Sequence, residues 1–202
     1  MTIPHTLPAE SLPIEALPAE ELGAGSAQRT RDFASFSADD FKAAFRHHPG
    51  GVAVVTATGP NGHVALTATS VSSVSADPPL LVFSVSGQSS SAPTLRRAEF
   101  VVVHLLAADG LGVAQLGATS GIDRFADSSR WSTLVTGEPV FHGTRWLRAR
   151  VIDRLDAKSA TIVVAQAVQS NISADAPHPG DDGLVYVDRT WHRIGAHSRI
   201  DA

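Results

Sequence analysis

Three extended runs between Gly50 and Val103 constrain the fold of this chain more than any other feature. Valine and threonine are frequent in them, and branched side chains of this kind pack well on a pleated sheet. The first run covers 51–58 and the second covers 63–70, with Asn61-Gly62 between them. Asn-Gly between two such runs is a strong hairpin signal. We therefore predict a β-hairpin with Asn61 and Gly62 at its tip.

Two hydroxyl-rich segments flank the third run, the apolar strand Leu80–Ser86. One is the segment 71–79 before it, and the other is the polar elbow Gly87–Pro93 after it, which contains three consecutive serines. Polar groups that converge on both sides of one buried strand are more typical of a ligand groove than of an ordinary core. The same serines are also ordinary turn residues, so their chemistry alone leaves both interpretations open.

The composition favours a globular domain and argues against several functional classes. The chain has 202 residues, of which 43% are hydrophobic, so it can bury a full core and we expect one globular domain. Its formal net charge of -4 lacks the basic excess with which proteins bind nucleic acid, so we expect no nucleic-acid partner. Cysteine is absent, which excludes disulfides, thiolate metal ligands and a cysteine nucleophile.

The ends of the chain carry weaker signals. No apolar run approaches the roughly 20 residues that span a bilayer, and the start lacks a signal-peptide layout, so we expect no membrane association and a cytoplasmic location. We predict a flexible, disordered arm at 1–35, a folded domain at 36–197 and a tail at 198–202. Four prolines interrupt the arm: Pro4, Pro8, Pro13 and Pro18. In an alternative interpretation, its apolar residues dock on a neighbouring subunit: Leu7, Leu12, Ile14 and Leu17.

Two short helices are predicted. The first follows Ser37–Asp40, which has the layout of a capping box, and ends near His47-His48. Adjacent positions on a helix diverge by about 100°, so this histidine pair does not predict a metal site, and we expect no metal. The second helix covers 108–118 and contains a glycine pattern. This pattern fails as a dinucleotide fingerprint because Gln115 stands where a small residue is needed.

The remaining segments return to strands. Phe100–Leu106 is apolar without alternation and is predicted to be buried on both faces. The segments 145–155, 160–168 and 183–194 follow, the last with a turn at Asp188-Arg189. Six or more strands with few short helices predict a mainly β fold, an antiparallel barrel whose closure removes exposed sheet edges.

The segment 145–155 alternates with period two. This pattern predicts Leu147, Ala149, Val151 and Leu155 on the buried face. The opposite face would carry a row of arginines: Arg148, Arg150 and Arg154. We predict a solvated face for this row, with a phosphate clamp as the alternative.

Six motifs in the expected order give the chain a family resemblance over about residues 37–195. They are Thr67–Ser70, Ser72–Leu80, Ser89–Ser91, Asp123–Phe125, Trp131 and Leu184–His192. Together they resemble the flavin reductase-like family with the FMN-binding split-barrel fold. The resemblance implies a six-stranded antiparallel split β-barrel, usually a homodimer, that binds FMN or FAD and reduces it with NADH or NADPH. Many members of the family supply reduced flavin to a separate monooxygenase, so the resemblance also implies an oxygenase partner.

The resemblance and the chemistry of the segments give a set of expected flavin-binding residues. A strand end with hydroxyl and backbone groups suits the polar edge of the flavin ring, and the serine elbow suits its phosphate. The set is Thr67, Ala68, Thr69, Ser70, Ser84, Val85, Ser89, Ser90, Ser91 and Phe125. Hydride transfer between two cofactors depends on stacking and distance, so no catalytic side chain is expected.

The sequence departs from the family pattern at two places. Lys158-Ser159-Ala160 stands where members commonly carry Gly-Asp-His, and His104 stands at a position that is often Asn. His104 would lie either near the flavin or in the barrel wall. His192 or His197 would replace the missing imidazole only if the C-terminus folds over the groove. Ala160 also motivates an alternative, a flavin carrier or sensor without turnover. A third alternative is an oxidase or a deazaflavin-type reductase on the same fold.

Overall fold

The computed structural model describes residues 36–173 and 182–200. The predicted arm at 1–35 lies outside the described residues, as do the last two residues of the predicted tail. The chain divides into two units, 1–44 and 45–202, and the second contains the strands described below. No helix within the described residues has both the length and the apolar character to cross a membrane.

Helix α1 (Ala38–Arg46) begins with the predicted capping box. The Asp40 amide donates to Ser37 Oγ at 3.1 Å, and the Ser37 amide donates to Asp40 Oδ2 at 3.2 Å. Each side chain therefore satisfies a backbone donor that the helix leaves unpaired, with Asp in the place that Glu usually takes. The Ser37 hydroxyl also donates to Asp40 Oδ2 at 2.6 Å, and this bond, together with the one from the Ser37 amide, lowers the pKa of Asp40. The helix ends at Arg46, shortly before Pro49, as predicted.

The other elements are short strands and two further helices. The strands are β1 (Gly50–Gly51), β2 (Ala53–Gly59), β3 (Gly62–Ala68), β4 (Ser72–Ala76), β5 (Pro79–Ser86), β6 (Phe100–Leu105), β7 (Trp131–Thr133), β8 (Pro139–Phe141), β9 (Arg145–Ala157), β10 (Ala160–Ser170), β11 (Gly183–Val187) and β12 (Thr190–Ile194). The helices are α2 (Ala92–Leu95) and α3 (Leu111–Ala118), and a 3₁₀ turn at Ala108–Gly110 leads into α3.

The main sheet has the order β3-β2-β6-β9-β10-β5-β4, and all of its neighbouring strands pair antiparallel. Its two edge strands, β3 and β4, are consecutive in the chain and are joined by only Thr69, Ser70 and Val71. The sheet therefore closes on itself at this crossover, where the Ser84 amide donates to Ser70 Oγ at 3.0 Å. The mainly β, antiparallel fold is as predicted, and the predicted count of six strands holds only if β3 and β4 are counted as one bent strand.

The two predicted hairpins are present. In the first, Gly59 pairs with Gly62, so the turn residues are Pro60 and Asn61, one position earlier than predicted. Gly62 then adopts a φ of 100°, a conformation that its missing Cβ permits. In the second hairpin, between β11 and β12, Asp188 and Arg189 both have positive φ, which matches a type I′ turn.

The core lies on both faces of the sheet. One cluster fills the interior of the curved sheet and includes Val55, Phe83 and Val103, while the other packs between the opposite face and α3 and includes Val54 and Ala114. Adjacent residues of a strand point to opposite faces, so β2 contributes to both clusters. The residues from Val101 to His104 are all buried, which confirms the prediction that this strand is covered on both sides.

A bulge in β9 overturns part of the predicted pattern. Val164 pairs with Asp153 and Ala165 pairs with Val151, so Ile152 has no partner residue on β10. An extra residue reverses the alternation beyond it. Leu155, which was predicted in the core, is consequently 61% exposed.

The predicted solvated row of arginines is wrong at Arg148. Its side chain is only 11% exposed and donates from Nη2 to Glu138 Oε1 at 2.8 Å. The guanidinium also lies 3.8 Å from the centre of the Phe100 ring. Burial raises the pKa of Glu138, but the hydrogen bonds from Arg148 and Thr136 outweigh this effect and leave the pKa below its ordinary value. Arg148 is therefore a neutralised structural cation, not part of a phosphate clamp.

Candidate functional site

The crossover between β3 and β4 brings two of the predicted segments together. Ser70 is the second residue after the end of β3, and its hydroxyl accepts from the amide of Ser84 on β5. The hydroxyl-rich end of β3 and the apolar strand β5 are therefore neighbours, although 14 positions separate these two serines in the sequence. The sequence predicted that these two segments would lie together at a ligand groove.

The serine elbow after β5 is fixed to two other segments. On one side, Ser91 Oγ donates to the carbonyl of Ala65 in β3 at 2.9 Å. On the other side, the Gly87 amide donates to the carbonyl of Ser159, in the turn between β9 and β10, at 2.7 Å. The elbow therefore lies between β3 and the β9–β10 turn, beside the crossover.

Some of the predicted hydroxyls are used by the protein itself. Ser91 is buried, and its hydroxyl is committed to Ala65. Thr67 Oγ1 donates to the carbonyl of Ala114 in α3 at 2.6 Å. These two side chains position the elbow and the end of β3. We therefore assign them a supporting part in the site, in place of the direct hydroxyl contact expected from the sequence.

Other members of the predicted set remain accessible. Ser90 and Thr69 are exposed, and neither hydroxyl has a hydrogen bond to another described residue. Ser89 is half-buried, and its Oγ accepts from the Ser91 amide at 3.2 Å, which leaves its own proton free to be donated. Ala68 and Val85 have buried side chains, so they can offer a ligand only backbone groups.

Arg96 adds a cation that was not among the residues predicted from the sequence. Its Nη2 lies 3.2 Å from the point where a Cβ on Gly87 would stand. Its Nε is buried and has no hydrogen-bond partner among the described residues. A guanidinium beside an elbow with free hydroxyls is a donor set suited to a phosphate. The available sequence signal was an arginine one short helix after three serines.

The family model described as "Flavin reductase like domain" matches residues 45–195, more than half of the chain. The chain belongs to the flavin reductase-like domain family. A Rhodococcus qingshengii protein named NADH:FMN oxidoreductase is 43% identical over 155 residues, and the match covers 74% of this chain and 81% of the relative.

Solved structures agree with this family assignment. A flavin reductase domain protein from Arthrobacter sp. FB24 has a TM-score of 0.72 and 27% identity to this chain, over 81% of this chain and 98% of that one. BorF, named as the flavin reductase component of a bacterial two-component tryptophan halogenase, has a TM-score of 0.67 and 27% identity, over 78% of this chain and 98% of that one.

A phosphorylated flavin fits the donor set of this flavin reductase-like domain. The buried Nε of Arg96 is a donor without a partner among the described residues, and a side chain at Gly87 would fill the space beside it. A buried cation without an acid is costly unless a ligand supplies the negative charge. The residues present therefore suit an anionic group at the elbow.

Phe125 is the member of the predicted set that the structure places elsewhere. It stacks on Phe141 with ring centres 5.5 Å apart and lies edge-on to Trp131 and His63. Trp131 Nε1 also donates to the Phe125 carbonyl at 3.0 Å. His63 is near the start of β3, so this aromatic cluster lies at the end of β3 remote from Ser70. We interpret Phe125 as a packing residue of that cluster.

The three histidines considered from the sequence have no hydrogen bond or ring contact with the elbow, the end of β3 or the turn at Ala160 within the part of the chain that the structure describes. His104 lies in the barrel wall, where it is fully buried with Nδ1 2.8 Å from Thr144 Oγ1, and burial lowers its pKa to about 4. His192 pairs with Val185 in the small sheet of β1, β11 and β12, and His197 follows that sheet with its ring 3.1 Å from the Arg193 carbonyl. The described residues also contain no cluster of three metal-ligating side chains.

Proposed function

We propose that this chain is an NAD(P)H-dependent flavin reductase that reduces FMN or FAD by hydride transfer. The observation that carries the proposal is the meeting of the β3 end, β5 and the serine elbow, with the unpaired guanidinium of Arg96 beside Gly87 of the elbow. The name of the Rhodococcus relative, NADH:FMN oxidoreductase, makes NADH and FMN the first pair to test. The other relatives reported above are named as reductases, which favours turnover over the carrier or sensor.

The chain's own residues have two tasks in this function. Arg96, Ser89 and Ser90 hold the flavin phosphate, and each charge-assisted hydrogen bond contributes about 1.5–3 kcal/mol. Backbone groups of Ala68–Ser70, Ser84 and Val85, with the Thr69 hydroxyl, hold the polar edge of the ring. Ser91 and Thr67 keep these segments in place through their bonds to the backbone.

The reaction itself needs no acid or base from the protein. When both nucleotides are bound, the nicotinamide supplies a hydride that the flavin accepts, and the protein contributes their alignment. This requirement agrees with the position of His104, which is enclosed in the wall and is neutral at ordinary pH.

The test is a comparison of two adjacent arginines. We expect the purified chain to consume NADH when FMN is present, as followed by nicotinamide absorbance. Arg96→Ala should weaken FMN binding about 10- to 100-fold, because it removes a charge-assisted contact of about 1.5–3 kcal/mol. Arg97→Ala removes an exposed cation outside the site and should leave the dissociation constant unchanged.

Three results would contradict the proposal in different ways. FMN binding without NADH or NADPH consumption would indicate a carrier. An unchanged FMN affinity in Arg96→Ala would remove the elbow from the site. Absence of binding to either FMN or FAD would contradict the flavin function as a whole.

The assembly and the partners belong to the same proposal. We propose a homodimer, because the edge strand β4 carries Val74 with 56% of its surface exposed and borders an apolar cavity of about 320 Å³ lined by Val71, Leu81 and Leu105. Light scattering on Val74→Glu, with the wild type as control, tests whether this edge lies in the interface. The oxygenase partner is proposed by analogy with BorF, and the cytoplasmic location stays a prediction from sequence.

A further inference from the structure

The turn between β9 and β10 contains a lysine in an unfavourable backbone conformation. Ala157 pairs with Ala160, so Lys158 and Ser159 form a two-residue loop. Lys158 has a φ of 61°, whereas the φ of Ser159 is not positive. Positive φ at the first loop residue alone is the pattern of a type II′ turn, in which glycine is strongly favoured at that position. A lysine there carries a conformational cost that glycine would avoid.

This strained lysine belongs to a turn that is bonded to the serine elbow. The carbonyl of Ser159 accepts the hydrogen bond from Gly87, and Arg96 approaches the same glycine from another side. Ala160 also pairs with Ser86, the last residue of β5. Lys158 is therefore attached to the rim of the candidate flavin site, one residue away from the contact with the elbow.

Two cations near this elbow have no acid partner within the described residues. Lys158 is exposed and forms no ion pair, even though Asp156 lies two positions before it, in β9. Arg96 has no ion pair either, and it is more deeply placed. Under the proposed function, the partly buried Arg96 holds the flavin phosphate. Lys158 remains as a second positive charge that is reached from solvent.

We propose that Lys158 binds a phosphate of the nicotinamide dinucleotide. The inference rests on the proposed function, because the dinucleotide must lie over the bound flavin for hydride transfer, on the side open to solvent. A flexible ammonium suits a phosphate that enters and leaves in each turnover. The phosphate is either the pyrophosphate, shared by NADH and NADPH, or the 2′-phosphate, found only in NADPH.

The test uses FMN, which has a single phosphate, as the flavin in every assay. Lys158→Gln removes the charge and keeps the backbone cost, while Lys158→Arg keeps the charge. We expect Lys158→Gln to raise the KM for the nicotinamide dinucleotide about tenfold with little change in kcat, and Lys158→Arg to stay near wild type. Arg97→Gln is the control for loss of an exposed cation near the elbow and should leave this KM unchanged.

Substrate analogues identify the phosphate. An increase in KM for both NADH and NADPH, but not for reduced nicotinamide riboside, which carries no phosphate, supports the pyrophosphate. An increase for NADPH alone supports the 2′-phosphate. An unchanged KM for both dinucleotides would overturn the proposal, and so would a weaker FMN affinity without a change in the dinucleotide KM. Wild-type protein that does not oxidise NADH or NADPH would instead contradict the proposed function.

Lys158→Gly separates the structural role from the binding role. Glycine relieves the backbone conformation and removes the ammonium, so the variant should melt about 2–4 °C higher and show the same increase in KM as Lys158→Gln. A higher melting temperature with a wild-type KM would indicate that the lysine has no part in binding, and would overturn the proposal.

Discussion

His104 is a titratable residue that the fold encloses completely in the barrel wall. It is fully buried between Thr56 and Thr144, and its Nε2 is 3.4 Å from Thr56 Oγ1. Removal from water disfavours the imidazolium, so the pKa falls to about 4 from its ordinary value of 6.5. The ring therefore acts in this fold as a neutral hydrogen-bonding wall residue.

The burial of this neutral histidine predicts that the folded protein loses stability as the pH is lowered. Between pH 6.5 and about 4, His104 takes up a proton in the unfolded chain but not in the native one. Protons therefore favour unfolding in this range, and stability falls as the pH is lowered. The contribution of His104 is full above pH 6.5, and up to about 3 kcal/mol of it is lost by pH 4.

The measurement is urea unfolding of wild type and His104→Asn at several pH values from 7 to 4. Asn does not titrate, so the free energy of unfolding of the variant should depend less steeply on pH in this range. His104→Gln provides a second nontitrating side chain if the Asn variant folds poorly. Equal slopes for wild type and both variants would show that His104 does not control acid stability.

At the scale of elements, the contact between α3 and β3 positions the end of β3. Gly117 faces Thr67 so closely that a Cβ would overlap Thr67 Oγ1, the atom that donates to Ala114. The same helix has a second glycine, Gly112, whose Cβ would meet only the end of the Arg130 side chain, at 3.4 Å. Glycine is therefore required at one position of the helix and replaceable at the other.

We predict opposite effects for two glycine-to-alanine substitutions in α3. Gly117→Ala should lower the free energy of unfolding by about 1–3 kcal/mol and weaken FMN binding, because it displaces Thr67 from the helix. Gly112→Ala should leave FMN binding unchanged and stabilise the helix by up to about 1 kcal/mol. Thermal unfolding and FMN titration of both variants provide the measurement. Equal behaviour of the two would show that the close contact does not position the site.

At the scale of the whole molecule, the candidate site lies where the sheet closes. Ser70 on the crossover, Ser84 on β5 and Ser91 in the elbow join segments that enter the sheet at different points of the chain. A ligand that bridges these segments would stabilise the closure, since binding to the native state alone raises stability by mass action.

FMN should therefore raise the melting temperature of the protein. At 100 times the dissociation constant the gain is about 2.7 kcal/mol, which corresponds to about 5–10 °C for a chain of this size. Arg96→Ala should show a much smaller shift at the same FMN concentration, while Arg97→Ala should behave as wild type. Differential scanning calorimetry measures the effect, and an equal shift in both variants would place the phosphate away from Arg96.

Local patterns were sufficient to predict several elements of this fold. The capping box at Ser37–Asp40, the two hairpin turns and the fully buried strand β6 follow from the chemistry of neighbouring residues, which acts over a few positions. The order of the motifs along the chain was likewise sufficient for the family. Each of these features depends on residues that lie close to it in the sequence.

The composition of the site was decided by tertiary contacts. Ser91 and Thr67 have the same hydroxyl groups as their exposed neighbours, but contacts with Ala65 and Ala114, which are distant in sequence, use them for packing. Tertiary contacts also place Arg96 beside the elbow. They pair Arg148 with Glu138, although the sequence predicted a solvated position for this arginine. The sequence by itself determined the helix cap, the two hairpins, the buried strand β6 and the hydroxyl-rich bends, but not the short strands β4, β7 and β8. Only the closed sheet decided which polar groups remain free, because a hydrogen bond between distant segments exists only once both are in place.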